Sequence, residues 1–340
     1  MSEITFYTVD LAKRVFQVHG FTGHARRVSA RRLSRARFMR FFECEAVAGV
    51  PVIMEACATS HYWGRWLAAR GYQPVLLPAH RVRAMSPGNK TDAVDADALA
   101  LAWCCGRVKA VAVKSEAQQT LQFLHRLRQR RVRTRTAVIN QLRALLRERG
   151  SVAARGSAAL RRVLAEQLDP VAGLDPTTRR IAEELREEWR TLDAGIQRIE
   201  TELRACYRDD EACQRLGEIP GIGLITATAL VAAIADPQVF RRGRSMAVWL
   251  GLTPREHSSG DTRRLGPITK RGDTELRRLL IHGARAVVTR AATRDDATGR
   301  WIQRLVARRG HNRAVVALAN KNARIAWALL AHGTRYRAVS

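Results

Sequence analysis

Residues 4–10, ITFYTVD, decide how this chain is read. An aromatic and β-branched run of this length predicts a buried strand, and the aspartate that closes it should emerge at the strand's carboxyl end. RVFQVHG (14–20) predicts the second arm of a hairpin, and VPVIMEA (50–56) and QPVLLPA (73–79) predict two further buried strands between helical stretches. The order strand, strand, helix, strand, helix, strand, helix makes residues 3–109 an α/β unit. The helix expected between the hairpin and VPVIMEA carries Arg26, Arg27, Arg31, Arg32, Arg35, Arg37 and Arg40, which predicts a strongly cationic face.

Acidic residues fall at the ends of these elements. Asp10 closes the first strand and Glu55 closes VPVIME, so strand ends of one sheet can bring them together. In NKTDAVDADALA (89–100), Asp92 and Asp95 are three apart at the start of a helix, one turn from each other on one face. Clustered carboxylates repel unless cations join them, and hard oxygen donors suit Mg²⁺ or Mn²⁺, not zinc. Two such ions roughly 4 Å apart would activate an attacking oxygen and stabilise a leaving one on a phosphate. Singly, each acid has a plainer reading as a turn residue or a helix-start charge, and Asp97 is a further acid on the same helix.

From about residue 116 to 206 the pattern is helical, split by a Gly/Pro-bearing stretch from Gly150 to Pro176. The first helix stacks Arg126, Arg128, Arg130, Arg131, Arg133 and Arg135 on an apolar stripe. In the second, Leu185, Trp189, Leu192, Ile196, Ile199 and Leu203 recur at alternating spacings of four and three, the seam of a coiled coil. The two helices are expected to pair as a long hairpin or to mediate dimerisation. From about 209 an α-rich, Gly-punctuated region follows, in which IPGIG (219–223) sets Gly221 and Gly223 before a helix. Backbone N–H groups there could meet a phosphate, as in a helix-hairpin-helix, or merely start an ordinary helix.

GLTPREHSSG (251–260) and the residues after it read as a loop crowded with Arg255, Arg263, Arg264, Lys270 and Arg271. A serine hydroxyl can attack phosphorus where guanidinium groups bind the non-bridging oxygens, and His257 lies close in sequence. Chemistry alone does not separate Ser258 from Ser259, and a solvated basic loop is the plainer alternative. No GxSxG or triad ordering points to a hydrolase.

The bulk composition agrees with a polyanionic partner. The 59 Lys and Arg against 31 Asp and Glu give a net charge of +28 over 340 residues. The basic residues run the whole length, unlike a membrane-surface helix, and the longest apolar stretch, LITATALVAAIA, is too short to span a bilayer. With no secretory signal evident, the protein is expected to stay in the cytoplasm, without membrane contact. Six cysteines with no CxxC or zinc spacing predict reduced, mostly buried thiols.

Taken together, these motifs resemble the bacterial insertion-sequence transposases of the IS110 and IS1111 type over nearly the whole chain. VDLAK fits the first acidic motif, MEACATSHYW the second, and NKTDAVDADALA the third and fourth. IPGIG, WLGLTPR, the SG pair and ITKRG followed by LRRLL fit the second domain in order. The resemblance implies a RuvC-like (RNase H-type) DEDD domain at 1–109, a helical coiled coil at 110–208 and a carboxy-terminal transposase domain at 209–340. It also implies catalytic Asp10, Glu55, Asp92 and Asp95 around Mg²⁺, and Ser259 as nucleophile. It further implies a bacterial, nucleoid-associated protein, an element-encoded guide RNA that pairs with donor and target DNA, and assembly in which the DEDD site of one subunit faces the serine of another. With the heptad seam beginning at Leu185 to hold subunits together, a homodimer that pairs into a tetramer is expected. Cys57 and Ala58 stand where many relatives have Thr-Gly. Two alternative readings fit the same residues: a RuvC-like structure-selective endonuclease that uses water, and a non-catalytic nucleic-acid-binding remnant.

Overall fold

In the computed structural model, which describes residues 3–85, 92–169 and 174–337 with residues 92 and 93 in backbone alone, the chain forms two compact units. One comprises Met1–Gln119 with Ile234–Arg241, the other Thr120–Ala233 with Arg242–Ser340.

The first unit is built on a five-stranded sheet. Its strands are β1 (Phe6–Leu11), β2 (Val15–Phe21), β3 (Arg27–Ser34), β4 (Pro51–Glu55) and β5 (Gln73–Leu77), in the order β3-β2-β1-β4-β5. β1–β2 and β2–β3 are antiparallel, while β1–β4 and β4–β5 are parallel. The helices are α1 (Arg35–Cys44), α2 (Ser60–Ala68), the short α3 (Ala79–Val82) and α4 (Asp92–Cys104). Period-two alternation splits the side chains of the central strands between two cores. Tyr7, Val9, Val52 and Met54 pack with Phe38, Phe41, Phe42, Trp63 and Leu67 of α1 and α2. Phe6 and Ile53 pack on the opposite face with Ala98, Leu99 and Ala102 of α4. A mixed sheet covered in this way is consistent with the expected DEDD nuclease-like domain.

The arginine-rich helix expected before β4 is half strand. Arg27, Arg31 and Arg32 lie on β3, and only Arg35, Arg37 and Arg40 lie on α1. β3 has no buried residue, so its apolar pattern gives no strand signal; its backbone pairs with β2 at the sheet edge, and that pairing overrides arginine's helix preference. Ser34 ends the strand and caps α1, accepting a hydrogen bond from Arg37 N–H.

The second unit is helical apart from one ribbon. Its first helix, α5 (Glu116–Arg147), begins in the first unit. It is followed by α6 (Ser157–Gln167), α7 (Pro176–Asp209), α8 (Glu211–Gly217), α9 (Leu224–Ala233) and α10 (Gly243–Trp249). After the ribbon β6 (Pro254–Glu256) and β7 (Leu265–Ile268) come α11 (Thr274–Thr289), α12 (Ala297–Arg309) and α13 (His311–His332). α6 occupies the Gly/Pro-bearing stretch that separates the two long helices in the sequence, and Leu160 and Leu164 anchor it in their core.

α5 and α7 pair antiparallel within the chain, joined by Arg128–Glu200 at 2.6 Å and Arg135–Asp193 at 3.0 Å. The heptad seam is consumed in this pairing. Leu185 and Trp189 pack with Val138, Leu142 and Leu160, and Ile199 and Leu203 pack with Leu121. The long-hairpin reading is therefore the one the structure adopts, and the seam itself is not free for a second subunit. One expectation about a small feature changes as well. Among the cysteines, all free, only Cys213 is buried, and burial pushes its thiol up to about 12. Among the described residues no helix is long and apolar enough to cross a membrane.

Candidate active site and nucleic-acid surface

Asp10 and Glu55 are placed by sheet register. Val9 pairs with Met54 across the parallel β1–β4 ladder, so Asp10 and Glu55 occupy the next level on neighbouring strands. Alternation sends both to the face of Phe6 and Ile53, the face that α4 covers. Asp95 lies three and four residues before Ala98 and Leu99, which pack on that same face, so the helical period turns it toward the sheet. The backbone of Asp92 opens α4, and its side chain lies outside the described residues. Asp10, Glu55 and Asp95 are all half-buried. Among the described residues, no three His, Cys, Asp or Glu side chains are grouped closely enough to hold a metal ion.

The donors this face offers are of the kind that suit a hard cation. Its acids supply only oxygen donors, and Thr8, two residues before Asp10 on the same face, is fully buried with a hydroxyl that has no partner among the described residues. Beside Thr8 on β2, His19 is 4 % exposed, and its Nδ1 has no partner among the described residues; burial, then the Arg27 charge, holds its pKa below the ordinary imidazole value. Asp97 makes an ion pair with Arg27 of β3, at 3.3 Å. It serves to fasten α4 to the edge strand.

Ser259 sits at the tip of the β6–β7 ribbon. Thr262 N–H donates to Ser259 C=O at 3.2 Å and Ser259 N–H donates to Thr262 C=O at 3.3 Å, closing a tight turn through Gly260, whose φ is 54°. The two serines part company here. The Ser258 hydroxyl donates to Glu256 Oε1 at 3.0 Å and accepts from Arg264 N–H at 3.3 Å. Arg263 Nε also reaches Glu256 Oε1, at 3.3 Å. The Ser259 hydroxyl makes no hydrogen bond among the described residues, and the ribbon is exposed throughout its tip.

The ribbon's base is firm. Arg277, 7 % exposed, donates from Nη1 to Leu250 C=O at 3.2 Å and to Arg271 C=O at 2.9 Å. Gly272, at φ 78°, passes so close to the Trp249 carbonyl that an added Cβ would sit 1.9 Å from its oxygen. Lys270 takes a left-handed φ of 56° beside it, and Asp273 caps α11. Lys270, Arg271 and Arg255 are exposed on this support.

The glycines of IPGIG do different jobs. Gly221 packs on Gly283 of α11, where any Cβ on Gly283 would lie 1.7 Å from the Gly221 oxygen, and Asn322 donates to Pro220 C=O at 2.8 Å. Gly223 is exposed at the start of α9 with open space around its Cα. Only the second of them leaves room for a ligand. On α5 the arginine row is partly spent, since Arg128 and Arg135 pair with α7. Sequence reading missed Phe123, which is 61 % exposed on α5 with the Arg126 guanidinium 5.9 Å from its ring centroid. Its one signal was an aromatic residue off the apolar stripe and within the basic run.

Residues 8–149 match the family model for DEDD transposases of IS110 elements, described as "Transposase", and residues 213–298 match "Transposase IS116/IS110/IS902 family". The chain is 46 % identical over 332 residues to the "Probable family 20 transposase" of Pseudomonas aeruginosa, covering 97 % of each. It is 39 % identical to the "Transposase for insertion sequence element IS1111A" of Coxiella burnetii, over 99 % of this chain and 92 % of that protein. A third relative, the "Transposase for insertion sequence element IS1328" of Yersinia enterocolitica, is 34 % identical over 98 % and 99 % of the two chains. Matches of this extent and identity establish that the chain belongs to the IS110 family of insertion-sequence transposases.

Proposed function

We propose that this transposase excises and inserts its element by serine attack on DNA phosphates, guided by an RNA that the element encodes. The observation that carries this reading is the contrast between neighbours on the ribbon: Ser258 is tied to Glu256 and Arg264, while the Ser259 hydroxyl, at an exposed tip, has no partner among the described residues. Attack by Ser259 Oγ forms an O–P bond as a deoxyribose ester oxygen leaves, and the phosphoserine link conserves bond energy for rejoining without ATP. Arg264 near the tip and Arg255, Lys270 and Arg271 toward the ribbon's base supply charge that suits a DNA backbone, and Gly223 offers a second backbone contact at the head of α9. Arg263, bound to Glu256, would contact phosphate only by leaving that pair.

Asp10, Glu55, Asp92 and Asp95 would hold Mg²⁺ or Mn²⁺. The ion would polarise a phosphoryl oxygen and stabilise developing charge. Assembly as a dimer pairing into a tetramer remains part of this reading, through surfaces other than the α7 seam.

The test is to purify the full chain with its bound nucleic acid, sequence the RNA, and search DNA-linked peptides by mass spectrometry. Wild type should yield a phosphoserine adduct at Ser259, Ser259→Ala should yield none while still binding nucleic acid, and Asp10→Asn should abolish metal-dependent cleavage. Persistent adducts in Ser259→Ala would refute the nucleophile. Cleavage with water and no adduct would favour a structure-selective nuclease.

A further inference from the structure

The ribbon's register sorts its functional groups onto two faces. Glu256 pairs with Leu265, His257 N–H donates to Arg264 C=O at 3.0 Å, and Ser259 bridges to Thr262. Cross-strand partners share a face, and faces alternate along each strand. One face therefore carries Glu256, Ser258 and Arg263, and the contacts confirm it, since all three are joined through the Glu256 carboxylate. The other carries His257, Ser259, Thr262 and Arg264.

The two faces differ in what their groups are doing. On the first, carboxylate, hydroxyl and guanidinium satisfy one another. On the second, neither the His257 ring, the Ser259 hydroxyl nor the Arg264 guanidinium has a side-chain partner among the described residues, and all are exposed. His257 stands two residues from Ser259 on the same strand. Arg264 is diagonal to it across the ribbon, with backbone positions separated by about 7–8 Å, a span that a long side chain covers. A base, a nucleophile and an anion-binding fork thus lie together, pointing away from the network that holds the ribbon's other side.

We propose that His257 and Arg264 act with Ser259 on the scissile phosphate, an assignment that rests on Ser259 being the nucleophile. The neutral His257 ring accepts the Ser259 Oγ proton as the Oγ–P bond forms, and the departing ester oxygen takes a proton from solvent. In rejoining, a deoxyribose hydroxyl attacks the phosphoserine, its proton passes to solvent, the Oγ–P bond breaks, and His257 returns the proton to Oγ. Arg264 binds the two non-bridging oxygens as a fork, which suits the geometry of a phosphate better than an ammonium would. Glu256, Ser258 and Arg263 brace the ribbon from behind.

The test uses the full chain co-purified with RNA transcribed from the insertion sequence that encodes it, incubated with a plasmid carrying that element, and reads the Ser259 adduct. Arg264→Ala should lower the initial rate of adduct formation about 100-fold, with partial recovery in Arg264→Lys, while Arg263→Ala should cost less than about tenfold. His257→Ala should lose about 100-fold near neutral pH, flatten the acid limb of the pH–rate profile, and regain rate on addition of imidazole. Equal losses from Arg263→Ala and Arg264→Ala, or a His257→Ala protein that keeps the wild-type acid limb and ignores imidazole, would overturn the assignment. Absence of the adduct from wild type would instead overturn the serine reading itself, and this assignment with it. Because every substituted side chain is exposed, loss of folding is not expected, and imidazole rescue reports on chemistry in a folded protein.

Discussion

Asp10 and Glu55 stand at the ends of two central strands whose remaining side chains are packed on both faces, whereas Ser259 stands at the tip of a ribbon exposed from residue 254 to 267. The acids gain their geometry from ladder register and from two cores, so their relative placement is a property of the whole sheet. The serine gains its geometry from one tight turn and from a bracket at the ribbon's base, where Arg277 and Gly272 hold the entering and leaving chain. Packed strands fix where the residues at their ends lie. A free ribbon instead offers its hydroxyl outward, where a nucleic-acid backbone can meet it.

That contrast can be broken experimentally, beginning with the sheet. Trp63 is 1 % exposed and meets Phe16 at 5.1 Å and Phe38 at 4.9 Å between ring centroids, behind the strands that carry the acids. Trp63→Ala should cost about 3–5 kcal/mol in denaturant unfolding, with metal-dependent cleavage falling in parallel. A loss below about 1 kcal/mol would mean that the acids do not depend on this core.

A smaller effect should come from His125, which lies in the helical unit. Its Nε2 is 3.0 Å from the Thr228 hydroxyl of α9, and burial first, then the Arg128 charge, lowers its pKa to about 4 against a weaker opposing pull from Glu275. The folded pKa lies below the ordinary value of 6.5, so folded and unfolded states bind equally few protons above that pH. Below it the unfolded state binds more, and stability is lost between pH 6.5 and about 4, by about 3 kcal/mol in all. Unfolding midpoints across that window should fall for wild type and fall less for His125→Gln; identical curves would remove His125 as the cause.

The smallest effect belongs to the ribbon. Glu256 is half-exposed, and its pair with Arg263 is a surface ion pair. Glu256→Gln should therefore change stability by less than about 1 kcal/mol, with a matching small shift in midpoint. A loss on the scale of Trp63→Ala would show that the ribbon is a packed element and not a free one.

Much of the sheet was legible because buried strands advertise themselves: ITFYTVD, VPVIMEA and QPVLLPA carry apolar runs, β4 and β5 lie within the last two, and β1 overlaps the first and ends one residue beyond it, at Leu11. β3 gave no such signal, since RVSARRLS owes its conformation to hydrogen bonds with β2 and buries nothing. The heptad spacing of α7 was legible, but its partner was not, because a seam of this kind fits a helix of the same chain as well as one of another. The expectation of buried cysteines failed for a related reason: Cys44, Cys104 and Cys105 sit at exposed positions of the first unit that residue type alone does not reveal.

The sequence by itself determined the chemistry on offer: hard oxygen donors at strand ends, a serine among cations, a charge of +28 that calls for a polyanion, and the motifs of a transposase family. Tertiary structure decided which of those groups are free to act. It tied Arg128 and Arg135 to α7, pressed Gly221 against Gly283, fastened Asp97 to Arg27, and bound Ser258 while leaving Ser259 open. The physical reason is that composition and spacing specify a side chain's capacity to bond, whereas register and packing specify which partner reaches it first.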